Sequence, residues 1–92
     1  MNKIWCGNIR LRAVLIEPEH DKNWSIHFIG VNSESREQIK KTFFSAAKNI
    51  PIFLQGDNDD WMMIEFWTGN IDIIISTCKF FEEELMLEIK GL

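Results

Sequence analysis

The spacing of apolar residues along this chain changes from a period of two to a period near 3.6, and the change occurs twice. Two segments, residues 9–16 and 24–31, first alternate apolar side chains with other side chains over much of their length. Such alternation is typical of strands that bury one face. The intervening residues 17–23 are polar and contain a proline, which favours a hairpin loop. The two segments therefore predict a β-hairpin.

A helical spacing follows this hairpin. Residues 32–35 supply side-chain oxygens that can cap a helix, and the spacing of Ser35 and Gln38 fits a capping box. Pro51 would end the helix, because proline cannot continue the hydrogen-bond ladder. The predicted buried stripe lies at helical spacing and consists of Ile39, Phe43, Ala46, Ala47 and Ile50.

A second hairpin is predicted beyond Pro51. Residues 52–54 form a short extended run, and residues 61–67 have the composition of a strand. Residues 56–60 lie between them as a polar loop that begins with a glycine. The strand-strand order of the first half of the chain is thus expected again in the second half.

Residues 70–92 allow two interpretations. Their apolar residues hold helical spacing for about five turns, with Asn70 available as a cap and Gly91 as a terminator. Residues 73–75, in contrast, are three isoleucines, and a β-branched run of this kind favours a strand that pairs with the preceding one. We favour the helix, with a strand over residues 71–76 as the alternative.

These patterns predict a single α+β domain over residues 1–92. Its order is strand-strand-helix-strand-strand-helix, and the simplest arrangement is a four-stranded, mostly antiparallel sheet with both helices on one face. A chain of 92 residues, 46% hydrophobic and 26% charged, has room for one core and no second domain. Because it contains no apolar run of membrane-spanning length and no long apolar run near Met1, we expect a cytoplasmic protein without a membrane partner.

The net charge of −4 is distributed unevenly. Residues 1–50 hold eight Lys and Arg against five Asp and Glu, a charge of +3, whereas residues 51–92 hold two against nine, a charge of −7. An acidic surface repels phosphate backbones and attracts basic proteins. The sequence therefore disfavours nucleic acid as a partner and favours a basic protein.

The sequence offers no recognisable catalytic, metal or cofactor site. Cys6 and Cys78 form no Cys-x-x-Cys pair and have no metal-ligand spacing with His20 or His27, so we predict reduced thiols, no metal and no cofactor. The serines lie outside any nucleophile-elbow pattern, and there is no glycine-rich phosphate loop. We therefore expect a protein that is not an enzyme.

The predicted strand over residues 61–67 is apolar on both faces. Its even-numbered residues share one face, and the odd-numbered Trp61, Met63 and Trp67 share the other. If the helices cover the even face, the odd face is open beside His27, with a composition typical of a protein interface. The alternative, in which the curl of the sheet or a terminus buries this face, stays open.

Three aspartates precede this strand in the predicted loop. We expect them to imitate substrate phosphates at the basic cleft of a partner, while the odd face of the strand supplies buried contact. The predicted partner-binding residues are Asp57, Asp59, Asp60, Trp61, Met63, Trp67 and His27.

A small acidic protein with an aromatic patch and no active site resembles, in size and charge, the bacterial immunity proteins and antitoxins that neutralise nucleases. The resemblance implies a stoichiometric inhibitor that plugs the active site of a basic toxin domain. The alternative is a small regulatory ligand-binding or homodimerisation domain, because two strand-strand-helix units can form a small-molecule site between sheet and loop, and an open sheet face can bind its own copy.

Overall fold

The computed structural model describes residues 7–20 and 22–92, and it confirms the predicted α+β class. The elements in chain order are β1 Arg12–Ile16, β2 Ser25–Ile29, α1 Ser33–Ala47, β3 Ile52–Asn58, β4 Trp61–Phe66, α2 Ile71–Leu85 and β5 Ile89–Lys90. The strands form one sheet in the order β3-β4-β2-β1-β5. Four of these strands and both helices correspond to elements predicted from the spacing of apolar residues.

The first hairpin pairs β1 and β2 antiparallel, with Val14 opposite His27. β1 begins later than the predicted strand, because the chain turns before it: the Leu11 N–H donates to the Asn8 carbonyl at 3.2 Å. The Asn8 side-chain amide also donates to the Gly30 carbonyl at 2.7 Å. These hydrogen bonds hold the entry to β1 beside the end of β2.

α1 is capped by Asn32 rather than by Ser35. The Asn32 side-chain oxygen accepts from the Ser35 N–H at 2.8 Å, and the Ser35 hydroxyl accepts from the Asn32 N–H at 2.8 Å. The predicted capping box was therefore wrong by three residues, since Ser35 is the second member of a box that begins at Asn32. The predicted stripe faces the core, with Ile39, Phe43 and Ala46 buried.

The second hairpin places β4 between β3 and β2, antiparallel to both. Its turn is tighter than the predicted loop, because only Asp59 and Asp60 separate the strands. The register of β3 shifts between Leu54 and Gly56, which makes Gln55 an extra residue in a β-bulge. The bulge reverses which residues of β3 face the helices from Gly56 onward.

Residues 71–76 are helical, which decides between the two interpretations of the last segment. The Asn70 side chain caps α2, accepting from the backbone N–H groups of Asp72 and Ile73 at 3.0 and 3.3 Å. Burial of a helical stripe against the sheet outweighs the weak strand preference of the three isoleucines. The buried residues of α2 are Ile74, Thr77, Cys78, Phe81 and Leu85.

The prediction of a helix reaching Gly91 was wrong, and so was the count of four strands. α2 ends at Leu85, and Met86 adopts a left-handed conformation with φ of 53° that reverses the chain. Ile89 then pairs with Ala13 in the short strand β5, which runs parallel to β1. The sheet is therefore five-stranded and mixed, although its other three pairings are antiparallel.

One layer of helices covers one face of this sheet, as predicted. The buried side chains of the strands and of both helices form a single hydrophobic cluster, in which the rings of Phe28 on β2 and Phe81 on α2 lie 6.0 Å apart. Within the described residues, neither helix is long and apolar enough to cross a membrane. The opposite face of the sheet is left without a helix, and four of the seven predicted site residues lie there: His27, Trp61, Met63 and Trp67.

Cys78 is buried in this core as a free thiol, in agreement with the prediction. Burial, with the nearby carboxylate of Glu82, raises the pKa of the Cys78 thiol to about 12. The thiol is thus protonated and unreactive at neutral pH. The corresponding prediction for Cys6 falls on a residue outside the described part of the chain.

Candidate binding face

The sheet face opposite the helices is called the open face below. The strand residues that alternate with the core positions point to it, and most of them are large and apolar. No described element packs over this face. Its apolar members are Val14, Ile16, Ile29, Phe53, Trp61, Met63 and Trp67.

Solvent reaches much of this apolar surface. Trp67 is 58% exposed, Ile29 49% and Phe53 44%, while Trp61 and Met63 are half-buried against their neighbours. Large exposed apolar patches are uncommon on monomeric proteins and mark sites of interaction. The odd face of β4, which sequence left as either open or covered, is open in the described structure.

The Trp61 ring lies against Gly56 on the open face. A Cβ added at Gly56 would fall 2.4 Å from the Cη2 and Cζ3 atoms of the Trp61 indole, so the ring occupies the space that any other residue would fill. The indole Nε1–H donates to Nδ1 of His27 at 3.2 Å, with the two ring centroids 5.8 Å apart. Trp61 and His27 are therefore together, as predicted, and each fixes the orientation of the other.

This hydrogen bond requires neutral His27. Nδ1 can accept a hydrogen bond only when it carries no proton itself, so the ring proton of neutral His27 is on Nε2. Burial lowers the pKa of His27 below its ordinary value, because a half-buried imidazolium is poorly solvated. His27 is thus a neutral acceptor at physiological pH, and its role here is to orient Trp61.

Trp67 belongs to a second group on the open face, together with Phe53 and Glu65. The rings of Trp67 and Phe53 lie 4.7 Å apart at a tilt of 51°. The Trp67 Nε1–H donates to Glu65 Oε1 at 3.0 Å, and the Asn23 side-chain amide donates to Glu65 Oε2 at 3.2 Å. Glu65 is therefore a carboxylate held in place by two neutral donors.

The three aspartates do not act as one group in the structure. The bulge in β3 turns Asp57 toward the helix side, where its carboxylate pairs with the Arg36 guanidinium and, at 2.9 Å, with the Lys40 ammonium. Asp59 and Asp60 form the exposed turn, and their backbone carbonyls accept from Arg36 and from the Val31 N–H. Only these last two carboxylates border the end of the open face that carries Trp61.

Sequence reasoning missed Phe53 and Glu65 as members of the candidate site. Phe53 was part of a three-residue run whose pairing could not be inferred, and it stands directly opposite Glu65 only because of the β3–β4 register. Glu65 was visible as the polar residue between Met63 and Trp67 on the odd face of β4. A charged residue among apolar residues on one face of a strand was the signal that could have identified Glu65 as a site residue.

Comparisons with known proteins supply no functional assignment for the chain. The protein-family models, the curated proteins and the solved structures contain no match to it. Among the residues that the structure describes, no three His, Cys, Asp or Glu side chains lie close enough together to hold a metal ion. The composition and geometry of the open face are therefore the observations that bear on function.

Proposed function

We propose that this protein is a non-enzymatic inhibitor that binds a basic protein through its open face, in the manner of an immunity protein or antitoxin acting on a toxin domain. The observation that carries the proposal is the cluster of exposed aromatic side chains on that face, above all Trp67 with Phe53. Tryptophan is strongly enriched among the residues that dominate binding energy at protein interfaces. A folded face of this composition gains stability when a partner covers it.

The charge of the protein supports a basic partner. The net charge is −4, and Glu65 makes no ion pair with any described residue although it lies among apolar side chains. Carboxylates at the border of an apolar patch accelerate association with a cationic surface and orient the partner as it docks. Glu17, Glu19, Asp59 and Asp60 are exposed at the two loops that border the sheet.

The way in which such a partner would be inhibited follows from this layout. An apolar centre with Trp61 and Trp67 would bury against the rim of the partner's cleft, while Asp59 and Asp60 would reach its cationic interior. Asp57 is not assigned to this role, because its carboxylate is already paired with α1. Inhibition would then consist of steric closure of the cleft and would require no chemistry by the inhibitor.

The proposal is tested by finding the partner and measuring its activity. The tagged chain is expressed in its native cell, bound proteins are identified by mass spectrometry, and the activity of a recovered protein is titrated with the purified chain. We expect one basic protein whose activity falls to zero near one molar equivalent. Full activity in the presence of excess chain would rule out an inhibitor.

A homodimer that buries the open face is the second candidate. It is favoured by the distribution of charge on that face, where Arg12 and Lys90 lie on the β1–β5 side and Glu65 on the β4 side. Two copies packed face to face and related by a two-fold axis along the strands would place Arg12 and Lys90 of each copy over the β4 side, with Glu65, of the other. Sedimentation equilibrium separates the candidates, because the inhibitor should be monomeric when free.

A further inference from the structure

A cleft of about 620 Å³ lies at one end of the open face, under the loop that joins β1 and β2. Its floor includes Ser25, Met63 and Glu65, which come from the adjacent strands β2 and β4. Glu17 and Glu19 line it from the loop. The cleft thus combines apolar surface from Ile16, Pro18 and Met63 with carboxylates on two sides.

Glu65 is presented in this cleft as a preorganised anion. Each of its two oxygens accepts one hydrogen bond, from Trp67 and from Asn23, and both donors are neutral. A carboxylate oxygen can accept two hydrogen bonds, so each retains one free position. Within residues 7–20 and 22–92 no cation neutralises Glu65, which leaves a half-buried negative charge fixed in orientation.

Ser25 offers a ligand a second, independent polar contact. It stands directly opposite Glu65 in the β2–β4 register and is only 7% exposed. Its hydroxyl makes no hydrogen bond to any part of the chain that the structure describes, and Ser25 lines the cleft. The hydroxyl is not sealed from solvent, so a ligand in the cleft can reach it and replace water as its hydrogen-bond partner. The natural partner is a donor that also reaches Glu65.

The negative charge of the cleft favours a cation as the group that donates hydrogen bonds to Ser25 and Glu65. The described residues that line it include three carboxylates, from Glu17, Glu19 and Glu65, and one ammonium, from Lys22, which gives a formal charge of −2. His27 also faces the cleft and is neutral, because its Nδ1 accepts the Trp61 indole proton. The Lys22 ammonium forms no ion pair with these carboxylates.

We propose that this cleft binds the guanidinium group of an arginine side chain, which the basic partner of the proposed function would supply. A guanidinium is planar and carries five N–H donors, so it can engage both oxygens of Glu65 and also donate to the Ser25 hydroxyl. It is weakly hydrated and stacks on apolar surface, which suits a floor containing Met63. The arginine is the anchor that places the partner on the open face.

The site is tested without the partner, by titrating the isotope-labelled chain with N-acetyl-arginine amide and following amide and indole resonances by NMR. We expect saturable shifts of Ser25, Glu65 and the Trp67 indole, with a dissociation constant in the millimolar range that suits a single side chain. N-acetyl-citrulline amide has nearly the same shape without the charge and should not bind. N-acetyl-lysine amide should bind more weakly.

Three variants separate the site from general electrostatics. Glu65→Gln should weaken binding by about tenfold and Ser25→Ala by a few-fold, because they remove the anion and the hydroxyl acceptor. Glu34→Gln, on exposed α1 at the other end of the fold, removes the same charge and should leave binding unchanged. Retained dispersion of the NMR spectrum shows that each variant is folded.

Several outcomes would overturn the inference. These are no shifts at the cleft, equal binding of the citrulline amide, equal binding of the lysine amide, or equal binding by the Glu65→Gln and Ser25→Ala chains. None of them bears on whether the open face binds a protein, since that is measured by recovery of a partner. Conversely, if the chain recovers no protein but binds the arginine amide at Glu65, the arginine site is supported and the proposed inhibitor function is not.

Discussion

Replacing Gly56 by alanine should displace the Trp61 indole from the open face. The new Cβ would lie 2.4 Å from the indole carbons, well inside van der Waals contact, and the backbone at Gly56 is not left-handed. The clash is therefore with the side chain of Trp61, which would have to swing away and lose its hydrogen bond to His27. Gly69 offers a matched control, because a Cβ there has no neighbour within 4 Å.

The size of the effect follows from the difference between these two variants. Both gain about 0.4–1 kcal/mol, because alanine restricts the unfolded chain. Gly56→Ala alone loses the Trp61–His27 hydrogen bond, about 0.5–1.5 kcal/mol, and forces Trp61 from its rotamer, about 0.5–1.5 kcal/mol. Gly56→Ala should therefore be less stable than Gly69→Ala by about 1–3 kcal/mol.

Urea denaturation of the two variants measures this difference, and the NMR shift of the Trp61 indole N–H reports the position of the ring. In a Trp61→Ala background the penalty at residue 56 should disappear, because the clash has been removed. Equal stabilities of Gly56→Ala and Gly69→Ala, with an unmoved indole resonance, would show that Trp61 does not lie over Gly56.

Three further results are expected. Because burial lowers the folded-state pKa of His27, the unfolded chain takes up the proton first, so the free energy of unfolding should decrease as pH falls below 6.5. Denaturation across pH should show a smaller decrease for His27→Gln, and an equal decrease in that variant would contradict the assignment to His27. Asp57→Asn breaks the pairs with Arg36 and Lys40 and should cost about 0.5–1 kcal/mol in low salt and less in high salt, whereas Asp60→Asn in the exposed turn should cost less in the same urea titration. Cys78, buried with a pKa of about 12, should resist iodoacetamide in the native protein and react on unfolding, as peptide mass spectrometry would record; rapid native labelling would contradict its burial.

Periodicity was sufficient to predict four strands and both helices. The stripe through Ile74, Phe81 and Leu85 identified α2 despite three consecutive isoleucines, because helical burial involves the whole segment and strand preference only a few residues. The strand β5 could not be found in this way. It has two residues, and Ile89 also fits the helical stripe, so only the reversal at Met86 separates the two possibilities.

The part of the candidate site that depends on regular alternation was predictable, and the part that depends on the bulge in β3 was not. Alternation within β4 placed Trp61, Met63 and Trp67 on one face, and the structure agrees. The role of Asp57 depended on a single extra residue in β3, because the bulge at Gln55 brings Gly56 under Trp61 and turns Asp57 toward α1. A one-residue shift in register exchanges the two faces of a strand. The composition of the strand does not show where such a shift occurs.

We propose that the open face binds a basic protein, and a comparison of two surface variants tests this proposal. Proteins recovered by the tagged chain from its native cell are compared with those recovered by Trp67→Ser and by Phe44→Ser. Trp67 is 58% exposed on the open face, and Phe44 is 62% exposed on α1, so the two changes remove similar exposed aromatic rings from different surfaces. We predict that a basic protein, recovered at near-equal stoichiometry, is lost with Trp67→Ser and retained with Phe44→Ser. Its retention by both variants, or its loss with Phe44→Ser alone, would contradict binding through the open face.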